Sequence, residues 1–171
     1  MREVVGAALN SGHLEPSDYR EVPIDRVGAL ARATTLGRLL WHWKYADQPI
    51  AHKVLPELVR KAQGRFQISR RHPDYTILIA ASRQILVEWY FPKCRSCRGA
   101  AEQVIDRKRV QCPTCGGTGL HWYSDFERMD GLDLNRSSYR RWEPRLRDLH
   151  LIVSAADVGA VLTCRAELER F

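Results

Sequence analysis

This sequence has little of what an enzyme or a membrane protein carries. It holds no G-x-S-x-G nucleophile elbow, no Walker loop for phosphates and no dinucleotide fingerprint. His13, His42, His52, His72, His121 and His150 are scattered and make no i, i+4 pair of the kind that seats a catalytic metal on a helix. Neither C-x-x-C follows a proline directly, so the P-C-x-x-C of zinc deaminases is missing. After Met1-Arg2-Glu3 the apolar run VVGAAL is too short for a signal peptide and far too short to span a bilayer. Internal repeats, heptads and low-complexity tracts are absent. These absences predict a cytoplasmic, non-enzymatic protein with no membrane partner.

Cysteine is scarce but arranged. Of five cysteines, four form two tight pairs, Cys94-x-x-Cys97 and Cys112-x-x-Cys115, with residues 98–111 between them. An odd total, with four of the five in two knuckles, points to metal ligation in a reducing compartment rather than to a disulfide scaffold. Each knuckle turns two thiolates toward one point, and two knuckles complete a tetrahedron around Zn²⁺. A redox dithiol is the competing reading, but it would want one C-x-x-C beside a βαβ pattern, and none is present. Four cysteines close the shell and leave no position for a reacting water, so the expected zinc is a single structural ion. Gly116, Gly117 and Gly119 suit a tight turn that brings backbone amides to the sulfurs, and AAEQVIDRKRV (100–110) suits a short ribbon. Cys164 lies in the apolar run VGAVLTCRAEL and reads as a small buried hydrophobe. His121 is close enough in sequence to replace a ligand, although a core or exposed histidine is the commoner outcome.

The charge is positive and uneven. Twenty-seven Lys and Arg against twenty Asp and Glu give +7, and a pI of about 9.4 follows. Residues 93–147 hold 12 of these cations against 7 acids, while residues 148–171 hold 2 against 4. The excess is concentrated at Arg107, Lys108 and Arg109 between the knuckles, and in RSSYRRWEPRLR (136–147), which has five arginines. Arginine forks onto guanine edges or phosphates, and hydroxyls reach phosphates. Arg136, Ser137, Ser138, Arg140, Arg141 and Arg145 are therefore candidate DNA contacts together with Arg107, Lys108 and Arg109. A solvated helix face is the plain alternative for either run alone. Among the tryptophans at 41, 43, 89, 122 and 142, Trp122 (with Tyr123) stands out for its place beside the basic loop.

The remaining pattern is helical. Residues 1–22 lack periodicity and read as a partly ordered arm, leaving 23–171 as one α-helical domain with a zinc-binding insert at 93–120. Val27, Leu30, Ala31, Leu39, Leu40 and Trp43 recur at three and four and predict a core helix across 23–47, weakened at Gly37. QPIAHKVLPELVRKAQGR (48–65) predicts a second, bent or split at Pro56 with Gly64 near its end. HPDYTILIAASRQILVEWYFP (72–92) predicts a third, with Pro73 and Asp74 in its first turn and Leu78, Ile85 and Trp89 on one face. SDFERMDGL reads as a short helix. Pro144 predicts two pieces in the basic stretch after it, and Ser154 with Asp157 predicts the start of a final helix.

A helix ending just before C-x-x-C, a basic ribbon, the knuckle CPTCGGTG and a basic tail with Trp and Pro resemble, over residues 75–165, the phage lambda Q type of late-gene antiterminators. Bacterial lysis-cassette relatives of the AlpA kind share the pattern. C-x-x-C-G-G-T-G is also the zinc repeat of DnaJ-type chaperones. Those carry four such repeats and a J domain, whereas the first knuckle here continues RGAA without the glycines. The antiterminator resemblance implies a zinc motif inserted within a helix-turn-helix, with 74–90 as the first helix and a helix after the knuckles as reader. SDFERMDGL and NRSSYRRW both qualify, and charge favours the second. It also implies binding to a double-stranded element overlapping a promoter, and engagement of bacterial RNA polymerase near the RNA-exit channel, its flap and sigma factor. Nascent RNA is a further candidate partner. Suppressed pausing and termination would follow. A zinc-containing regulator acting only at the promoter is the alternative, and a chaperone-like zinc module is a third.

Overall fold

The computed structural model describes residues 33–105 and 107–168. The arm over 1–22, and Val27, Leu30 and Ala31 of the first expected helix, lie outside the described residues. The described chain is mainly helical, with a two-stranded ribbon between its third and fourth helices.

Helix α1 spans Thr35–Tyr45. The Thr34 hydroxyl accepts from the Gly37 amide at 3.1 Å and starts the helix at Thr35, so the predicted helix does not pass unbroken through Ala33 and Thr34. Gly37 proves to be a packing residue: a Cβ there would stand 2.6 Å from the carbonyl oxygen of Ala156. Helix α2, Ala51–Phe66, runs through Pro56 undivided. One ladder bond is lost there, but Val54, Leu58, Val59 and Ala62 bury a stripe that crosses the proline. Gly64 stays inside α2, and Gln67 takes the left-handed capping position at φ 55°. Helix α3, Tyr75–Tyr90, buries Leu78, Ile85 and Trp89 as expected. Asp74 sits just before it as the N-cap, one step earlier than the predicted first turn.

Strands β1 (Glu102–Ile105) and β2 (Lys108–Gln111) form an antiparallel hairpin in which Glu102 faces Gln111 and Ile105 faces Lys108. Helix α4, Asp125–Gly131, opens on a capping box. Ser124 Oγ accepts from the Glu127 amide at 3.2 Å, and the Glu127 carboxylate accepts from the Ser124 amide at 2.8 Å.

Helix α5 runs without interruption from Arg136 to Leu168, so both breaks expected of it, at Pro144 and at Ser154, are absent. The reason is a buried stripe of Tyr139, Trp142, Leu146, Leu149, Val153, Ala160 and Cys164 at helical spacing. A helix-interior proline costs about 3 kcal/mol. Burying Trp142, Leu146 and Leu149 returns roughly 1.5–3 kcal/mol each, and Pro144 itself faces solvent. Asp157 does not cap a new helix, because its carboxylate accepts from the Trp89 indole at 3.0 Å and the Tyr45 hydroxyl at 3.5 Å. By length and composition α5 contains a segment apolar enough to cross a bilayer, but its inner stripe belongs to the core as far as Val153, and Ala160 and Cys164 pack with Ala33 and Trp41. That core joins α1, α2, α3 and α5 around Leu36, Leu40, Leu58, Leu78, Ile85 and Trp142.

Candidate metal centre and nucleic-acid interface

The ribbon is built from the ends of two helices. Pro92, which has no amide proton, follows α3, and the chain returns beside it. The His121 amide donates to the Pro92 carbonyl at 2.8 Å, Lys93 bridges to Leu120, and the Cys94 amide donates to Gly119 O at 2.8 Å. Above this base the first knuckle closes through Ala100 N–H to Cys97 O at 2.9 Å, and the hairpin joins it through Cys112 N–H to Ala101 O at 2.8 Å. Gly119 has φ 71°, and a Cβ on it would lie 2.6 Å from Gly99 O, so only glycine lets the two knuckles approach this closely.

Cys94, Cys97, Cys112 and Cys115 are all buried, and their sulfurs lie within 4.8 Å of one another. They form a cluster of their own, separate from the helical core, that could hold a metal ion. The Gly119 amide donates to Cys115 Sγ at 3.2 Å, the contact expected of the glycine turn. Burial pushes the Cys115 thiol up, but that amide and the neighbouring cysteines outweigh it and bring the thiol down to about 6. Cys97 moves the other way, raised by burial despite the amides of Gly99 and Ala101. Cys164 is not in this group; it packs against Ala160, Ala33 and Trp41. His121 is not in it either, and its Nε2 lies 3.1 Å from Glu127 Oε1.

A buried ionic knot that sequence pattern did not reveal holds the helices on either side of the ribbon. Glu88 of α3 takes both arms of Arg128 of α4, at 2.9 and 2.8 Å, His150 Nε2 of α5 at 2.7 Å and Gln84 Nε2 at 3.1 Å. Burial works to raise the Glu88 carboxyl, yet His150, Arg128 and Gln84 together hold it down at about 2. The visible signal is one acid inside ILVEWY, an apolar stretch in which a charge needs a partner.

The basic residues fall in two places. Arg107, Lys108 and Arg109 are exposed at the hairpin turn, with Arg107 at φ 63°. At the start of α5, Arg136, Arg140 and Arg141 are exposed; helical spacing turns Arg140 and Arg141 away from the buried Tyr139 and Trp142 and sets Arg136 on the flank, and among the described residues none of the three is in an ion pair. Ser137 and Ser138 serve the helix start, the hydroxyl of one and the amide of the other donating to Asn135 Oδ1 at 2.8 and 2.9 Å. Arg145 lies over the Trp142 ring at 4.9 Å and 3.4 Å from Asp74, which ties α5 to the beginning of α3. The Tyr139 hydroxyl donates to Asp125 at 2.8 Å, so the first turn of α5 sits beside the first turn of α4, at the ribbon's base. The hairpin turn lies at the far end of the ribbon, on the order of 10 Å beyond the cysteines at the rise of an extended strand. Helix α4 itself exposes Asp125 and Asp130, and its one arginine is committed to Glu88.

No protein-family model matches this chain, and no curated protein or solved structure shows a significant match to it.

Proposed function

We propose that this chain is a transcription antitermination factor. It binds a duplex DNA element overlapping a promoter, loads onto bacterial RNA polymerase near the RNA-exit channel and suppresses pausing and termination. The observation that carries the reading is the set of exposed arginines at the start of α5, Arg136, Arg140 and Arg141, which have no ion-pair partner among the described residues and are held at the base of a four-cysteine ribbon set between two helices. Supporting it is the order of parts across residues 75–165, which resembles the lambda Q type. The acidic surface of α4 favours α5 as the helix that meets DNA, with Arg107, Lys108 and Arg109 as a second contact.

The metal in this reading is one structural Zn²⁺. Zn–S bonds of about 2.3 Å in a tetrahedron set sulfurs about 3.8 Å apart, and Cys97 Sγ lies 3.7 Å from Cys115 Sγ. Four thiolates leave the ion no open position, so its role is to fix the ribbon. A terminator read-through assay with purified polymerase tests the function. Read-through is expected from templates carrying the element, whereas a factor confined to the promoter would change initiation alone.

A further inference from the structure

The chain segments entering and leaving the ribbon carry more than structure. Lys93 bridges to Leu120, and the His121 amide bonds Pro92 O. Phe91 and Trp122 each stand one residue outside the Pro92–His121 contact, one on the chain entering the ribbon and one on the chain leaving it. Lys93 and Leu120 are directly opposed and share a face, and Phe91 and Trp122 flank that pair two residues further out on the two chains. All three apolar side chains here are open to solvent: Phe91 is 60 % exposed, Trp122 71 % and Leu120 44 %. His121, between Leu120 and Trp122, is engaged with Glu127. Phe91 is backed by a row of rings, edge-on to Tyr90 at 4.7 Å, with Tyr90 stacked on Trp43 at 4.6 Å.

The two chain segments that carry these rings are cationic. Residues 89–101 and 112–124 contain Lys93, Arg95 and Arg98, all exposed, and no Asp or Glu. Four thiolates about a divalent ion leave a net charge of about −2, but it is enclosed by the knuckles, while the three cations stand outside. A ring face stacks on any unpaired base, and cations beside it neutralise the phosphates of the same strand. Bases within a duplex are covered by their neighbours and offer no such surface. An apolar protein partner would cover the rings and draw nothing from the three cations.

We propose that Phe91 and Trp122 form a stacking platform for single-stranded nucleic acid, with Lys93, Arg95 and Arg98 holding its backbone. The proposal rests on the nucleic-acid-binding reading above and adds to it a strand-selective site distinct from the exposed arginines of α5.

The test uses the full metal-loaded chain and fluorescent probes: oligo(dT) and oligo(rU) of about twenty nucleotides, and a blunt duplex. Trp122→Ala is expected to weaken single-strand binding roughly ten-fold while moving duplex affinity less than about two-fold. Trp122→Phe should restore most of the loss, and metal content should stay at the wild-type level in both variants. The stronger of the two single-strand probes identifies melted DNA or transcript as the strand concerned. Arg140→Ala should show the reverse split. If it leaves duplex binding untouched while Trp122→Ala still lowers single-strand binding, the α5 reading falls and the platform stands. Unchanged single-strand affinity in Trp122→Ala, or equal loss for strand and duplex, overturns the platform. Self-association that Trp122→Ala abolishes, with oligonucleotide binding intact, overturns it in favour of a contact between copies.

Discussion

Arg128 sets the two arms of its guanidinium on the two oxygens of Glu88, 40 residues away in sequence, at 2.9 and 2.8 Å. The pair spans the ribbon: Glu88 lies in the last turn-and-a-half of the helix that enters it, and Arg128 in the helix that leaves it. The helices flanking the insert are therefore fastened independently of the metal. Removing the cation leaves a carboxylate that is almost wholly buried with only His150 and Gln84 as partners. Arg128→Leu is expected to lower unfolding stability by about 3–5 kcal/mol in urea titrations. Pairing it with Glu88→Leu should recover part of that loss, since no buried charge then remains. A single variant that unfolds at the wild-type urea midpoint would show the pair to be dispensable.

The same knot sets a pH dependence. The folded Glu88 carboxyl titrates at about 2, below its ordinary value of 4.5. A depressed folded pKa stabilises fully above the unfolded value, and that stabilisation is lost as pH falls from there toward about 2. The stability difference between the wild-type chain and Glu88→Gln should thus shrink between about pH 5 and about pH 3. Acid release of the metal is common to both chains and cancels in the difference. A gap that stays constant over this window would contradict the assignment.

Metal binding is expected at one Zn²⁺ per chain, lost in Cys112→Ala and kept in Cys164→Ala, by elemental analysis of the purified variants. Because the cysteine cluster is separate from the helical core, chelation should leave most of the far-ultraviolet helical signal in place. Zinc lost from Cys164→Ala but kept by Cys112→Ala would overturn the ligand set.

What could be read from the chain beforehand was whatever is local. The C-x-x-C spacing, the glycine turn and the hairpin between the knuckles each express backbone geometry within a few residues, and each is found where expected. The α3 face of Leu78, Ile85 and Trp89 was legible for the same reason, since a helix's own period sets it. The misreadings came from tertiary packing. Pro144 and Ser154 carry local stop and start signals, yet the stripe from Tyr139 to Cys164 packs continuously and overrides them. Asp157 has the look of a cap, but it is claimed by Trp89 and Tyr45 from other helices. Arg145 is indistinguishable in sequence from Arg140 and Arg141, and only the fold shows it facing Asp74 and Trp142.

That distinction has consequences on DNA. Arg140→Ala and Arg141→Ala should each weaken duplex binding and reduce the slope of log K against log salt by about 1. Where one of them reads a base, selectivity at that position should also relax by about 1–3 kcal/mol. Arg145→Ala should change the salt slope little and stability more. Salt titrations of the three variants on one duplex check this, and an unchanged slope for both Arg140→Ala and Arg141→Ala would remove α5 as the DNA-contacting helix.

The most direct measurement is terminator read-through in a purified system, after the DNA element has been found by selection from random duplexes. Templates carry a promoter and a terminator well downstream, with or without the element, and initiation counts are normalised. A factor that leaves with the polymerase should raise read-through only on templates carrying the element, and an Arg140→Ala, Arg141→Ala double variant should lose most of that effect. Equal termination with and without the element, despite normal DNA binding, would contradict antitermination.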